Sequence, residues 1–244
     1  MKKTYFLFIL LFSTCIQAAP FEIKVHDELD SEEGESAIEV QSALYKPNSN
    51  SPIKGNIFLT RLEYAYGINA KNEVNFNVYT SRQGGDTYVN GGKIAHIYVP
   101  THDEEGILHY GIKNEFNTVS LPYQATQRFY ELTPIVAFQF DKTRITFNPT
   151  IDYYFSGNTD KTTFSPAIKL AYEIAHETKI GVEYYSEMGS VKHFTDINKR
   201  PDTAYLVLDK EIDHSLLQIG IGKGVNSTSD SWVLKVMGAI SFGK

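Results

Sequence analysis

Residues Thr143–Phe155 read TRITFNPTIDYYF. Successive side chains of an extended strand point to opposite faces, so Ile145, Phe147, Ile151, Tyr153 and Phe155 share one face. Arg144, Thr146, Asn148, Thr150, Asp152 and Tyr154 share the other. A single strand of this kind suits a soluble sandwich as well as a membrane wall. Its recurrence along the chain separates the two.

From Ala37 onward about twelve such segments follow one another, each near the ~9–11 residues that a tilted membrane strand needs. Ile38, Val40 and Leu44 oppose Glu39 and Gln41; Leu62, Tyr64 and Tyr66 oppose Arg61 and Glu63; Phe76 and Val78 oppose Glu73 and Asn75. Tyr110, Ile112 and Phe116 oppose Lys113 and Glu115, while Ile168, Leu170 and Tyr172 oppose Lys169 and Glu173. Pro166 and the clean period of two exclude a helix there. Leu217–Val225 places three glycines on its inner face, where neighbouring atoms would pack closely. Leu234 and Val236 flank Lys235. Two segments read less cleanly: Gly91–Pro100 is weak, and Phe129–Phe140 is apolar on both faces.

The connections sort by parity. Pro47–Lys54, Gln83–Gly92, Val119–Arg128, Ser156–Lys161, Met188–Asp202 and Asn226–Ser231 are longer and polar. The alternate ones, such as Asn69–Asn72, Asp141-Lys142 and Asp213-His214, are tight, with Thr101–Gly106 the exception. Short periplasmic turns alternating with longer external loops characterise outer-membrane barrels. In that orientation Tyr153, Phe155, Phe164, Tyr184 and Trp232 form an outer aromatic girdle, and Tyr64, Tyr66, Tyr172 and Phe242 an inner one.

The N-terminal run MKKTYFLFILLFSTCIQAAP has two lysines, a short apolar stretch and small residues, the pattern of a secretory signal peptide over residues 1–18. Removing it takes away Cys15, the one cysteine, and with it any disulfide. Residues 19–36 are acidic and read as a solvated, mobile tail. Residues 37–244 then form the barrel. A net charge of −6 argues against a nucleic-acid partner. A mean hydropathy of −0.27 is compatible with a membrane barrel, in which only alternate residues meet lipid. Sixteen Tyr and fifteen Phe favour strands.

Parity places Arg61, Glu63, Lys113, Glu115, Arg144, Asp152, Lys169, Glu173 and Lys235 on the inner wall, with Glu39, Glu73, Lys179, Glu183, Asp209 and Glu211. These charges either select a solute in a polar conduit or pair with one another and fill the barrel. Twelve strands lie between the filled eight-stranded regime and the open pores of 16–18. His109 faces inward without a visible serine partner, and no catalytic dyad, metal-ligand spacing or cofactor motif stands out.

The run Leu62-Glu-Tyr-Ala-Tyr-Gly-Ile-Asn-Ala-Lys-Asn-Glu-Val-Asn-Phe resembles the strand–turn–strand signature of transporter-like outer-membrane barrels linked by name to phenol meta-cleavage pathways. Glu131-Leu-Thr-Pro-Ile, Ser165-Pro-Ala-Ile-Lys-Leu-Ala-Tyr and Ile180-Gly-Val-Glu-Tyr-Tyr are similar to later strands of that family. The resemblance implies a channel or transporter.

The expectation is an all-β, about 12-stranded antiparallel transmembrane barrel in the outer membrane of a Gram-negative cell. Its partners would be outer-membrane lipid, the barrel assembly machinery and a small solute. A barrel enzyme or surface-interaction protein, or a soluble periplasmic lipid-binding barrel, are the alternatives.

Overall fold

A computed structural model describes residues 23–26, 29, 31–49, 51, 55–100, 106–122 and 125–243. The expected signal peptide lies outside these residues. Twelve long strands form one antiparallel sheet: β1 (Ser36–Lys46), β2 (Ile57–Asn69), β3 (Asn72–Gln83), β4 (Asp86–Tyr98), β5 (Leu108–Val119), β6 (Gln127–Phe140), β7 (Thr143–Ser156), β8 (Thr162–Ala175), β9 (Thr178–Tyr185), β11 (Thr203–Ile212), β12 (Ser215–Gly224) and β13 (Trp232–Phe242). A two-residue strand, β10 (Gly189–Ser190), extends the edge of β8 past the end of β9. Each long strand pairs with its neighbour in sequence, and β13 pairs with β1, with Lys46 opposite Trp232 and Ser36 opposite Phe242. The sheet therefore closes on itself and no long strand keeps a free edge.

The alternation decides which face meets which medium. Ile151, Phe147, Leu170, Val182, Leu208, Ile219, Leu234 and Val236 all point outward and are exposed. Glu39, Arg61, Glu115, Lys113 and Glu183 point inward and are buried. A soluble lipid-binding barrel has the opposite arrangement, apolar within and polar without, so that alternative fails. An apolar surface wrapping the whole wall is stable only in lipid. The outward rings Tyr153, Phe155 and Trp232 mark one rim, and Tyr64, Tyr66, Tyr172 and Phe242 the other. Lys210 sits at the second rim, reaching the His176 carbonyl at 3.2 Å.

The connections follow the expected parity with one correction. Gln83–Gly92 is not a long loop: β3 and β4 run on to a two-residue Gly84-Gly85 hairpin. Both glycines have positive φ, which lets the chain reverse in so few residues. At the opposite rim Asp141, Glu177 and Asp213 take the left-handed conformation in turns that are two residues long. The longest connection, 186–202, is folded rather than free. The buried Asp202 carboxylate accepts from the Tyr184 and Ser186 hydroxyls, both at 2.7 Å, and from the Asn226 amide at 3.2 Å. It ties this loop to the one before β13.

Pro134, Pro149 and Pro166 lie on three adjacent strands, with Pro149 opposite Pro166. Pairing between β6 and β7 lapses from Thr133–Ile135, since neither Pro134 nor Pro149 has an N–H to donate.

Candidate functional site: a charged lumen holding the N-terminal segment

Residues 23–26, 29 and 31 run inside the barrel, which corrects the expectation of a solvated tail for this part of the segment, while Glu32 and Glu33 are exposed at the rim. Ile23, Lys24, Val25, His26 and Ser31 are all buried. Ile23 joins a collar of Tyr45, Tyr79, Phe129, Tyr154 and Tyr205 at the strand ends nearest the long loops. Leu29 packs on Ile97, Val99 and Ile135 towards the other end. At the short-turn rim Glu33 makes a parallel bridge with Gly67. Gly34 N–H donates to the Gly67 carbonyl at 2.8 Å, and Gly67 N–H donates to that of Glu35 at 3.0 Å. The chain then turns and rises again as β1.

Gly67 explains why the segment can lie so close. A Cβ built there would sit 1.9 Å from the carbonyl oxygen of Glu32, so only glycine admits the contact. This is the glycine of the Tyr-Gly pair in the run that carries the sequence resemblance.

The wall charges form three groups. In the first, Glu39 on β1 receives Arg61 of β2 at 2.8 Å and Lys24 of the inner segment at 2.9 Å. Arg61 also lies 3.7 Å from Glu63, and Asn75 on β3 bridges Glu63 and Glu73 at 2.9 Å each. Glu73 in turn accepts from the Ser31 backbone N–H at 2.7 Å and its hydroxyl at 2.9 Å.

In the second, Glu115 on β5 receives Lys93 of β4 at 2.6 Å and Lys113 at 2.8 Å. Nζ of Lys113 also lies 2.6 Å from Nε2 of His26. Glu115, Glu131 and Asp152 stand in register on β5, β6 and β7, so three carboxylates share one patch of wall. Thr163 donates to Asp152 at 3.0 Å.

In the third, Lys169 on β8 meets Asp209 at 2.6 Å and Glu183 at 3.7 Å. Lys235 on β13 pairs with Glu183 and donates to the Ile23 carbonyl at 2.6 Å. Its ammonium lies 4.9 Å from the centre of the Tyr205 ring, close enough for a cation–π contact. Gln218 donates to Asp209 at 2.7 Å.

Of the inner-wall residues expected from parity, Arg61, Glu63, Lys113, Glu115, Asp152, Lys169 and Lys235 are buried in these groups. Arg144 and Glu173 are placed differently, half-buried at the short-turn rim, where Glu173 is paired in register with Lys179. Both keep the inward parity and stand near the mouth of the barrel. Parity does not single out the buried Lys93 and Glu131, which lie on the two segments with the least regular alternation, nor the roles of Lys24, His26 and Asn148.

Several of these charges are essentially inaccessible: Glu115 and Glu183 are 0% exposed, and Arg61, Lys113 and Lys235 are 1%. In the conformation described, wall and inner segment together fill these stretches of the lumen. A buried charge is tolerated only when paired, and each of these five has an opposite charge within 4.0 Å.

The fold is that of outer-membrane channels. An outer membrane channel from Pseudomonas putida F1 matches with a TM-score of 0.65 at 10% identity, over 91% of this chain and 100% of that one. The KdgM porin in complex with disordered oligogalacturonate matches at 0.59 and 11% identity, over 84% of this chain and 99% of that one. The NanC porin matches at 0.55 and 13% identity, over 83% and 98%. At such identities the likeness is one of fold alone. No protein-family model matches the sequence, and no curated protein does.

Proposed function

We propose that this chain is an outer-membrane channel for a small solute, closed in the described conformation by its own N-terminal segment. The observation that carries this reading is the width and chemistry of the lumen. Twelve strands leave room for a second length of chain, and the wall around that chain is lined with charged and amide side chains. Withdrawal of the segment would leave a polar passage through an apolar-coated wall. A barrel needed only as a rigid body would be filled more cheaply by apolar side chains, since burying ion pairs is seldom stabilising by itself.

In this reading the chain is exported by residues 1–18 and inserted by the barrel assembly machinery. It is held by outer-membrane lipid and works without catalysis. The run Leu62–Phe76 supports a place among the transporter-like barrels linked by name to phenol meta-cleavage pathways. That place concerns architecture and specifies no solute.

The test is conductance in a planar bilayer. The mature chain should be closed or nearly so, and Gly67→Ala, which drives a methyl group against Glu32, should open it. A second variant lacking residues 19–31 removes most of the segment outright. If both variants fold and neither conducts, the channel reading fails.

A further inference from the structure

The wall grips the backbone of the inner segment at four points. Asn148 on β7 uses its carboxamide twice on one residue: Oδ1 accepts from the His26 N–H at 2.7 Å, and Nδ2 donates to the His26 carbonyl at 2.8 Å. Lys235 donates to the Ile23 carbonyl at 2.6 Å, and Glu73 accepts from the Ser31 N–H at 2.7 Å. Asn148, Lys235 and Glu73 are 3%, 1% and 0% exposed, and they stand on three well-separated strands of the closed wall. Backbone groups are common to every peptide, so contacts of this kind recognise an extended chain whatever its sequence. Side chains of the segment add a preference: Glu39 takes the Lys24 ammonium at 2.9 Å, Lys113 lies 2.6 Å from His26 Nε2, and Glu73 accepts from the Ser31 hydroxyl at 2.9 Å. From Ile23 to Ser31 an extended chain reaches at most roughly 26–29 Å, about the height of the apolar belt of such a barrel.

From this arrangement we infer that the lumen is a binding track for an extended peptide, and that short peptides are the solute class it admits when the tethered segment withdraws. The inference rests on the channel reading and narrows it. The N-terminal segment is then the resident occupant of the track. A paired amide donor and acceptor matches a peptide unit. A sugar hydroxyl or an apolar ring does not present that pair on one rigid plane.

Two measurements on the barrel lacking residues 19–31 test this. The first is binding, in micelles, of a fluorescent peptide with the sequence Ile23–Ser31, compared with the same peptide N-methylated on its backbone. Side chains, charge and length are then nearly unchanged, while backbone donors are lost. The peptide should bind, its N-methylated form should bind about tenfold or more weakly, and Asn148→Leu should weaken the parent by a similar factor. The second is liposome swelling, in which a tetrapeptide should enter faster than a neutral oligosaccharide of equal mass. The Gly67→Ala barrel repeats both measurements should the deletion fail to fold. Equal binding of the two peptides, or equal entry of peptide and sugar, overturns the inference. If ions are still conducted, the channel reading survives that result. Absence of conductance from both folded variants removes the two readings together.

Discussion

Lys235 reaches Glu183 across two intervening strands. The carboxylate stands on β9 and the ammonium on β13, with β11 and β12 between them in the sheet. The span is possible because β12 offers Gly220 beneath the lysine: a Cβ there would lie 2.8 Å from Cε and 2.9 Å from Cγ of Lys235. Gly222, one step along the same face, makes the same allowance for the Tyr205 ring, with a closest approach of 2.4 Å. A track of missing side chains lets one long cation lie flat against the wall.

Gly220→Val should therefore displace Lys235 and leave Glu183 without its nearest cation. The expected loss is about 3 kcal/mol in a denaturant titration of the refolded barrel, combining overpacking with a broken buried pair. Gly238→Val is the control, because nothing lies within 4 Å of a Cβ at that position. Similar losses at both sites would show that the track does not position the lysine.

Ile151→Arg places a cation on the lipid face of β7, beside Phe147 and Tyr153. Near the bilayer midplane this costs about 2–4 kcal/mol of folding stability in lipid. Asn148→Arg faces inward and should leave the wall folded while expelling the inner segment, detectable as faster proteolysis near His26. If both substitutions damage the wall equally, the facing of this strand is wrong.

Trypsin added to intact cells should cut the loop 186–202 at the exposed Lys192 and Lys199. Lys71 and Lys142, also exposed but in the opposite turns, should stay intact until the outer membrane is permeabilised. Fragment masses distinguish the two sets of sites. The reverse pattern would invert the barrel in the membrane.

The buried wall carries Arg61, Lys93, Lys113, Lys169 and Lys235 against Glu39, Glu63, Glu73, Glu115, Glu131, Asp152, Glu183 and Asp209. With the segment withdrawn, five cations face eight carboxylates, and the passage should favour cations. Close charges beside a low-dielectric wall are weakly screened, so substitutions there register in permeation. In the Gly67→Ala barrel, Glu131→Gln with Asp152→Asn should move the reversal potential towards that of anions under a salt gradient. An unchanged reversal potential with clear conductance would place these residues off the ion path.

The barrel was legible in the sequence wherever a strand meets lipid on one side and charge on the other. Strand β7 is such a case: Ile145, Phe147, Ile151, Tyr153 and Phe155 leave no doubt about the outer face. Strand β6 was blurred because its inward side is also apolar in places. Phe129 packs on Tyr154 inside the collar, with ring centroids 4.9 Å apart, and Ile135 packs on Leu29. Glu131, between them, was lost in that pattern. Strand β4 was blurred by Gly91 and Gly92, whose missing side chains accommodate the carbonyls of Thr118 and Asn77 and break the alternation around Lys93. The course of the N-terminal segment was not legible at all. Its acidic composition suggests water, whereas its partners Glu39, Asn148 and Lys235 are up to 212 residues away in the chain. The one local hint is Ile23-Lys24-Val25-His26, a short alternation of the strand kind.

The inner segment is continuous with β1, and its last contact, at Gly67, lies beside the point where the strand begins. Such an occupant never diffuses away, and its effective concentration at the track is in the millimolar range or above. A free competitor of the same intrinsic affinity must approach that level before it displaces the segment for an appreciable fraction of the time. On the channel reading, the barrel would then obey a mass-action threshold, shut in dilute surroundings and open when its solute is abundant. The tether would also give withdrawal a direction: with its anchor at the short-turn rim, the segment would leave through that mouth.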